Sequence, residues 1–379
     1  SHGRVGGPLY ESVIQFLKRY DFSFIGSMFA IFLVGVLNLY SATHAQSHEG
    51  LHMLYRSQIL WYLIATTAAI VVSIAFSPKT FERVSYLAYG FTLFLLVLVL
   101  LMGDVGMGAQ RWLVIGPLRM QPSEFMKLGL AMALARYFSR VSPERELSLK
   151  DLLVPGLIAG VPALIVIVQP DLGTGMLLLL IFSLVIFYKR LRWKTIATLG
   201  IGALVAGVLM YNFGLREYQR KRIHTFIDPY ADAKGSGYNA IQSEIAIGSG
   251  RLFGKGFKNS SQASLQYLPE NHTDFVFAIF NEEHGFFGSV FLLILYLVLF
   301  TRLIWLASSV QRFYDAVLVM GILGIFFWHT FINMSMVSGL MPIVGIPLPM
   351  MSYGGSAMLT YGVCMGMATA ISNNKNFFN

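Results

Sequence analysis

Long stretches without a charged side chain dominate the chain: 57–78, 84–102, 195–215 and 316–374 contain no Asp, Glu, Lys or Arg. A helix needs about 20 apolar residues to cross a bilayer, so the last stretch is long enough for two crossings. Setting these runs against Gly, Pro and charged turn signals predicts ten transmembrane helices. They lie at 21–43, 55–76, 84–103, 121–138, 152–168, 172–188, 195–222, 274–301, 314–337 and 352–372. Polar sequence collects in three of the intervening segments, at 103–121, 223–273 and the Pro- and Gly-rich 338–351.

Composition agrees. Of 379 residues, 55% are apolar and 12% charged, with a mean hydropathy of +0.62. A soluble protein carries about 25% charged residues, so soluble domains are excluded. The expected fold is an all-α integral membrane protein with a single polytopic domain over 9–379. Residues 1–8, which begin Ser-His-Gly-Arg without a Met, read as a processing remnant. No cleavable signal peptide is expected, because the run 22–43 is long enough to remain as a helix. The net charge of +9 sits in short loops and forms no single patch, which excludes nucleic acid as a partner. Cys364 is the only cysteine, so intrachain disulfides and cysteine-ligated metals are excluded.

An even number of crossings puts both termini on one side. With the termini in the cytoplasm, 16 of the 28 Lys and Arg lie inside, and 8 of the other 12 fall between Arg216 and Lys258. Long loops weigh little in the positive-inside rule. The termini are therefore predicted cytoplasmic, with one long extracytoplasmic loop between the seventh and eighth helices. All three polar segments face outward, and function is expected there.

Several residues in and beside these segments suit chemistry, each with a plainer alternative. Pro122 fits the first turn of a helix, which places Glu124 and Lys127 at the i, i+3 spacing of an ion pair. Charges near a bilayer interior are paired or functional; a purely structural pair fits equally. Arg111 beside Trp112 suits an interfacial anchor or an anion contact. Asp171, in QPDLG at 169–173, is placed to cap the next helix or to act as a supporting charge. Arg216, Arg220, Lys221 and Arg222 crowd the outer end of a helix, where they suit a diphosphate or lipid headgroups. Asp274 follows Thr273 at the start of the eighth helix and reads as a first-turn acid or a reactive carboxylate. Glu282 and Glu283 lie deeper, and at 100° per residue Glu282 is nearer the Asp274 face. His272 and His284 are too scattered for a metal cage, and His329 reads as a packing residue. Zinc-protease, serine-hydrolase and nucleotide-loop spacings are absent.

In order along the chain, 108–112 (GAQRW), 121–124 (QPSE), 169–173 (QPDLG) and 245–250 (IAIGSG) resemble the SEDS family of shape, elongation, division and sporulation proteins. The likeness continues through 268–275 (LPENHTDF), Glu282-Glu283 and 342–356 (PIVGIPLPMMSYGGS), and so covers nearly the whole chain. The resemblance implies a peptidoglycan glycosyltransferase that polymerises lipid II on the outer face of the bacterial cytoplasmic membrane. It implies that Asp274 is the essential acid and that Glu124 and Lys127 are the family's paired charges. It also implies a class B penicillin-binding protein as activating partner, other elongation-complex membrane proteins nearby, an assisting divalent cation (Mg2+ or Mn2+, with Asp274 a possible ligand) and no organic cofactor.

The residues suit that chemistry. A sugar hydroxyl attacks only as a base removes its proton, a role for Asp274. The departing diphosphate needs cations, which Arg111, Arg216, Arg220 and Arg222 or a metal could supply. The alternative reading is a flippase for the same lipid, since ten spans with intramembrane charge also fit transport. A flippase should carry polar residues along its whole path, whereas here they crowd the outer half. A non-catalytic scaffold explains the loops poorly.

Overall fold

The computed structural model describes residues 8–44, 53–106, 109–116, 118–235, 237–265, 267–268 and 272–378. Residues 1–7 of the expected remnant, Gly108 of the GAQRW segment and 269–271 of LPENHTDF lie outside the described residues. Among the described residues, eight helical segments are long and apolar enough to cross a membrane. Six of them are α2 (Ser23–His44), α3 (Leu54–Ala75), α4 (Pro78–Met102), α7 (Leu172–Lys189), α12 (Val276–Ser309) and α13 (Phe313–Val337). The other two are α6 (Leu153–Val168) with its 3-10 lead and α8 (Trp193–Leu209) with a π-turn at Met210–Gly214. The remaining predicted spans form α5 (Pro122–Phe138) and α14 (Gly355–Phe378).

The bundle is built around α13, whose best apolar window is 72% buried, and around α5, where 13 of 17 residues are buried. Lipid is as apolar as Leu, so close backbone approach between small residues holds membrane helices together. That is how α14 seats on α3. A Cβ added at Gly362 would lie 2.3 Å from Ala65 O, and one at Gly366 would lie 2.6 Å from Ala69 O. At the end of the bundle near the N-terminus, Asp21 accepts from Arg302 at 3.0 Å and Ser372 at 2.6 Å, tying the start of α2 to α12 and α14. Burial pushes this carboxyl up, but the bonds from Ser23 and Ser372 and the Arg302 charge outweigh it and hold the carboxyl below its usual range. By contrast, the span formed by α8 and its π-turn is exposed along its length beyond Thr195, Ile196 and Leu199.

The structure departs from the sequence reading in four places. First, α1 (Pro8–Arg19) precedes the first span and takes Pro8 from the expected remnant. Second, the fold is not purely helical, because 103–121 holds an antiparallel sheet of β1 (Asp104–Gly106), β2 (Ala109–Ile115) and β3 (Leu118–Met120). Gly116 turns between β2 and β3 at φ 62°. Third, the helix expected over 195–222 ends at the π-turn, and Leu215 and Arg216 are extended before α9 (Glu217–Ile227). The basic run leaves the apolar path there. The long loop then folds into α10 (Tyr238–Gly250) and α11 (Ser261–Ser264).

Fourth, the eighth span starts at Val276 and breaks. Gly285 inside α12 has φ 64° and ψ −160°, which separates a buried first part from the membrane-spanning remainder. A break in a helix strands carbonyls on one side and N–H groups on the other. The segment 251–256 satisfies both sides. Lys255 N and Gly256 N donate to Glu282 O and Glu283 O at 2.9 Å, while Arg251 O accepts from Phe286 N at 2.8 Å and Leu252 O from Phe287 N at 3.1 Å. Side chains are excluded from this junction. A Cβ at Gly254, where φ is +79°, would lie 2.0 Å from Glu283 O.

Gly254→Ala is therefore expected to lower stability by at least the ~1–3 kcal/mol of backbone strain alone. Thermal unfolding in detergent should show a lower midpoint for Gly254→Ala and no loss for Gly200→Ala, where a Cβ meets nothing within 4 Å.

Candidate active site

Proline at the start of α5 puts Glu124 and Lys127 one turn apart, and both are buried, at 4% and 0% exposure. Lys127 Nζ donates to Glu124 Oε2 at 2.7 Å. It also lies 2.7 Å from His329 Nε2 on α13, while His329 Nδ1 lies 3.2 Å from Pro347 O. An ammonium has no lone pair, so Nε2 accepts, the ring is neutral, and Nδ1–H donates to Pro347. His329 is thus a buried ring with both nitrogens hydrogen-bonded.

Pro347 belongs to the loop 338–354, which runs from an exposed Gly345 into a buried stretch at Leu348–Ser352. Asp274 lies in a turn before α12, whose N-cap is Phe275, so Asp274 is not a first-turn acid and Thr273 does not cap the helix. The loop and this turn are fastened to each other. Asn333 Nδ2 on α13 donates both to Asp274 O at 2.9 Å and to Ile346 O at 2.7 Å. Ser352 Oγ donates to Thr273 O at 2.6 Å, Tyr353 N to His272 O at 2.9 Å, and Tyr296 Oη to Pro349 O at 2.5 Å. Gly345, at φ 74°, leaves room for the carboxylate, since a Cβ there would sit 3.2 Å from Asp274 Oδ2.

Other expected residues reach the same few peptide units. Gly173 of QPDLG packs so closely that a Cβ would lie 3.0 Å from Val344 O, and Arg222 Nη1 donates to Val344 O at 3.5 Å. Asp171 does cap α7, accepting from Thr174 N at 3.2 Å, and also pairs with Arg111 Nε at 3.5 Å. Arg111 Nη2 donates to Pro170 O at 2.7 Å, which makes it a partner of the QPDLG turn. The basic run divides. Arg222 reaches the loop, Arg220 Nη2 donates to Asn212 O at 2.7 Å, Lys221 pairs with Asp232 at 3.1 Å, and Arg216 stands exposed at the N-cap of α9. Lys221 and Arg222 border a cavity of about 360 Å³, closed on other sides by Phe226, Glu244, Met341 and Ile343.

The two deeper glutamates have separate partners. Glu282 accepts from Lys255 Nζ at 2.5 Å, from Ser260, from Ser261 N at 3.1 Å and Oγ at 2.6 Å, and from Gln262 N at 3.3 Å. Its carboxylate therefore secures the 255–262 segment. The angle reckoned from Asp274 does not apply, because Asp274 precedes the helix. Glu283 accepts from Ser41 Oγ at 2.5 Å. Among the described residues no three His, Cys, Asp or Glu side chains converge to hold a metal, so the described residues alone do not form a cage for the implied cation. Sequence reasoning missed Asn333, Tyr296 and Ser352.

A family model for cell cycle proteins, FTSW_RODA_SPOVE, matches residues 22–377. The peptidoglycan glycosyltransferase MrdB of Escherichia coli K12 is 36% identical, with 90% of this chain and 92% of that protein covered. The peptidoglycan glycosyltransferase RodA of Treponema pallidum is 29% identical over 95% of this chain and 99% of its own. Among solved structures, the Thermus thermophilus rod shape determining protein RodA superposes with a TM-score of 0.69 at 29% identity, covering 94% of this chain and 97% of that one. A chain of a peptidoglycan synthase complex, studied for its coordination of polymerization and crosslinking, superposes with a TM-score of 0.79 at 29% identity, covering 94% and 98%.

Removing one member of a buried pair strands the other charge, at a cost of about 3–5 kcal/mol. Glu124→Gln and Lys127→Met are each expected to destabilise the protein on that scale, and the double change by less than the sum. Thermal unfolding of all four forms measures the coupling, and strict additivity would count against it.

Proposed function

The chain belongs to the SEDS family of cell cycle proteins, and from that premise we propose a mechanism for it. It is a peptidoglycan glycosyltransferase and a multi-pass membrane protein. In this reading α5 and α14 complete ten crossings, both termini are cytoplasmic, and the loop bearing α9, α10 and α11 is extracytoplasmic. The substrate is lipid II, polymerised at the outer face of the bacterial cytoplasmic membrane. The observation that carries the site is convergence. Asp274, Arg222, Gly173, Asn333 and His329, from four separate parts of the sequence, all meet the backbone of 344–347 or each other there.

The Asp274 carboxylate takes the proton from the 4-hydroxyl of the acceptor N-acetylglucosamine as that oxygen attacks the donor's anomeric carbon. The bond from that carbon to undecaprenyl diphosphate breaks, and the diphosphate leaves with the electron pair. One displacement inverts α to β, so no second nucleophilic carboxylate is needed. Charge building on the diphosphate is met by Arg222 and Lys221 at the cavity, with Arg111 beside the QPDLG turn. Arg216 and Arg220 lie further along the same basic end and suit the approaching headgroup. A divalent cation would draw ligands from the diphosphate as well as from Asp274. Glu124, Lys127, Asp171 and Glu282 support the site through the elements they hold.

The partner is a class B penicillin-binding protein within a larger elongation assembly. Adding a single-span protein of that class to the purified chain should raise polymerisation from labelled lipid II severalfold on a glycan gel. Equal rates with and without it would refute the activation.

Asp274→Asn keeps the shape but removes the base. Polymerisation should fall by ~10²–10⁴ while folding, partner binding and lipid II binding persist. A micelle has no two leaflets, so a pure flippase yields no strands there. Normal strands from folded Asp274→Asn would remove Asp274 as base, and no strands from the wild-type complex would restore the flippase reading.

A further inference from the structure

Resting on Asp274 as the base, we infer that His329 is a positioning residue, which carries the seating of the buried Glu124–Lys127 pair to the loop that frames Asp274. Both ring nitrogens are committed. Nε2 accepts from the Lys127 ammonium at 2.7 Å and Nδ1–H donates to Pro347 O at 3.2 Å. The ring is 1% exposed, and Tyr361 packs edge-on against it with ring centroids 6.1 Å apart, so it has little freedom to turn.

The next turn of the same helix completes the connection. Residues four apart lie on one face of a helix, and Asn333, four residues after His329, donates to Ile346 O and to Asp274 O. Two consecutive carbonyls of the loop, at 346 and 347, therefore hang from consecutive turns of α13. One attachment leads to a buried cation and the other to the peptide of the base itself. Burial leaves no solvent to replace either bond, so a displaced ammonium moves the ring, and the ring moves Pro347. A reacting oxygen must be held within about 0.5 Å of its productive position relative to the base for efficient proton transfer. The pair on α5 thus reaches the reacting groups without touching substrate.

Two substitutions divide the two bonds. His329→Gln places an oxygen near Nε2 and keeps the acceptor for Lys127 while losing the donor to Pro347. His329→Asn keeps a donor near Nδ1 and loses the contact with Lys127. With the partner-bound wild type as reference, both are expected to lower kcat at least tenfold with KM within twofold. In His329→Gln the amides of Ile346, Leu348 and Met350 should exchange with deuterium at least tenfold faster. Wild-type kcat in either folded variant, or unchanged exchange in His329→Gln, overturns the inference. If neither variant folds, the combined Glu124→Gln and Lys127→Met change decides. It touches no loop atom, yet should speed exchange of the same amides tenfold, and unchanged exchange there also overturns the inference. Failure of the wild type to make strands would instead overturn the polymerase reading, and the exchange measurements would still decide the part played by His329.

Discussion

Hydrocarbon offers no hydrogen bonds, so every backbone group inside a bilayer must find its partner within the protein. Regular helices meet this requirement by themselves, and irregular backbone meets it only with help. Among the described residues, the loop after α13 and the break in α12 are two irregular stretches that find such help. The loop after α13 descends into the protein with its carbonyls at 346, 347 and 349 taken by Asn333, His329 and Tyr296. The break in α12 at Gly285 is closed by the backbone of 251–256. Asp274 stands before α12, outside any helix, and its own carbonyl accepts from Asn333.

Charge is used in the same way. A buried ion pair gains little net stability over a well-packed apolar replacement, so Glu124 and Lys127 are poor candidates for mere glue. Their geometry gives them another use. The ammonium is shared between a carboxylate on its own helix and an imidazole on the next, which fixes α5 against α13 at one height. Glu282 does comparable work for the segment 255–262, gathering Lys255, Ser260, Ser261 and Gln262 around one carboxylate.

Much of this was legible in the sequence. Uncharged runs located the eight long apolar helices of the described residues, and local spacing placed the Glu124–Lys127 pair and the Asp171 cap. What escaped detection depended on distant partners. Nothing between Val276 and Ser309 marks Gly285 as a break, because the segment that heals it lies some thirty residues earlier. The angular placement of Glu282 failed because it assumed that Asp274 already belonged to the helix. The strands of 104–120 were visible only as an aromatic and β-branched run between glycines. His329 and Asn333 did leave a signal: two polar side chains four apart in an otherwise uncharged stretch occupy one helical face, which in a membrane calls for partners.

The isolation of α8 has a mechanical consequence. Past Thr195, Ile196 and Leu199 the span is exposed along its length, and its fastening lies at the ends, through Arg192 N and Thr195 Oγ1 to Leu147 O on one side and the π-turn leading to α9 on the other. A helix with few neighbours takes its tilt from the match between its length and the hydrophobic thickness of the surrounding lipid. The bilayer thus acts on this element as a spring, and α9, whose Arg222 reaches Val344 O, lies just beyond the spring's end.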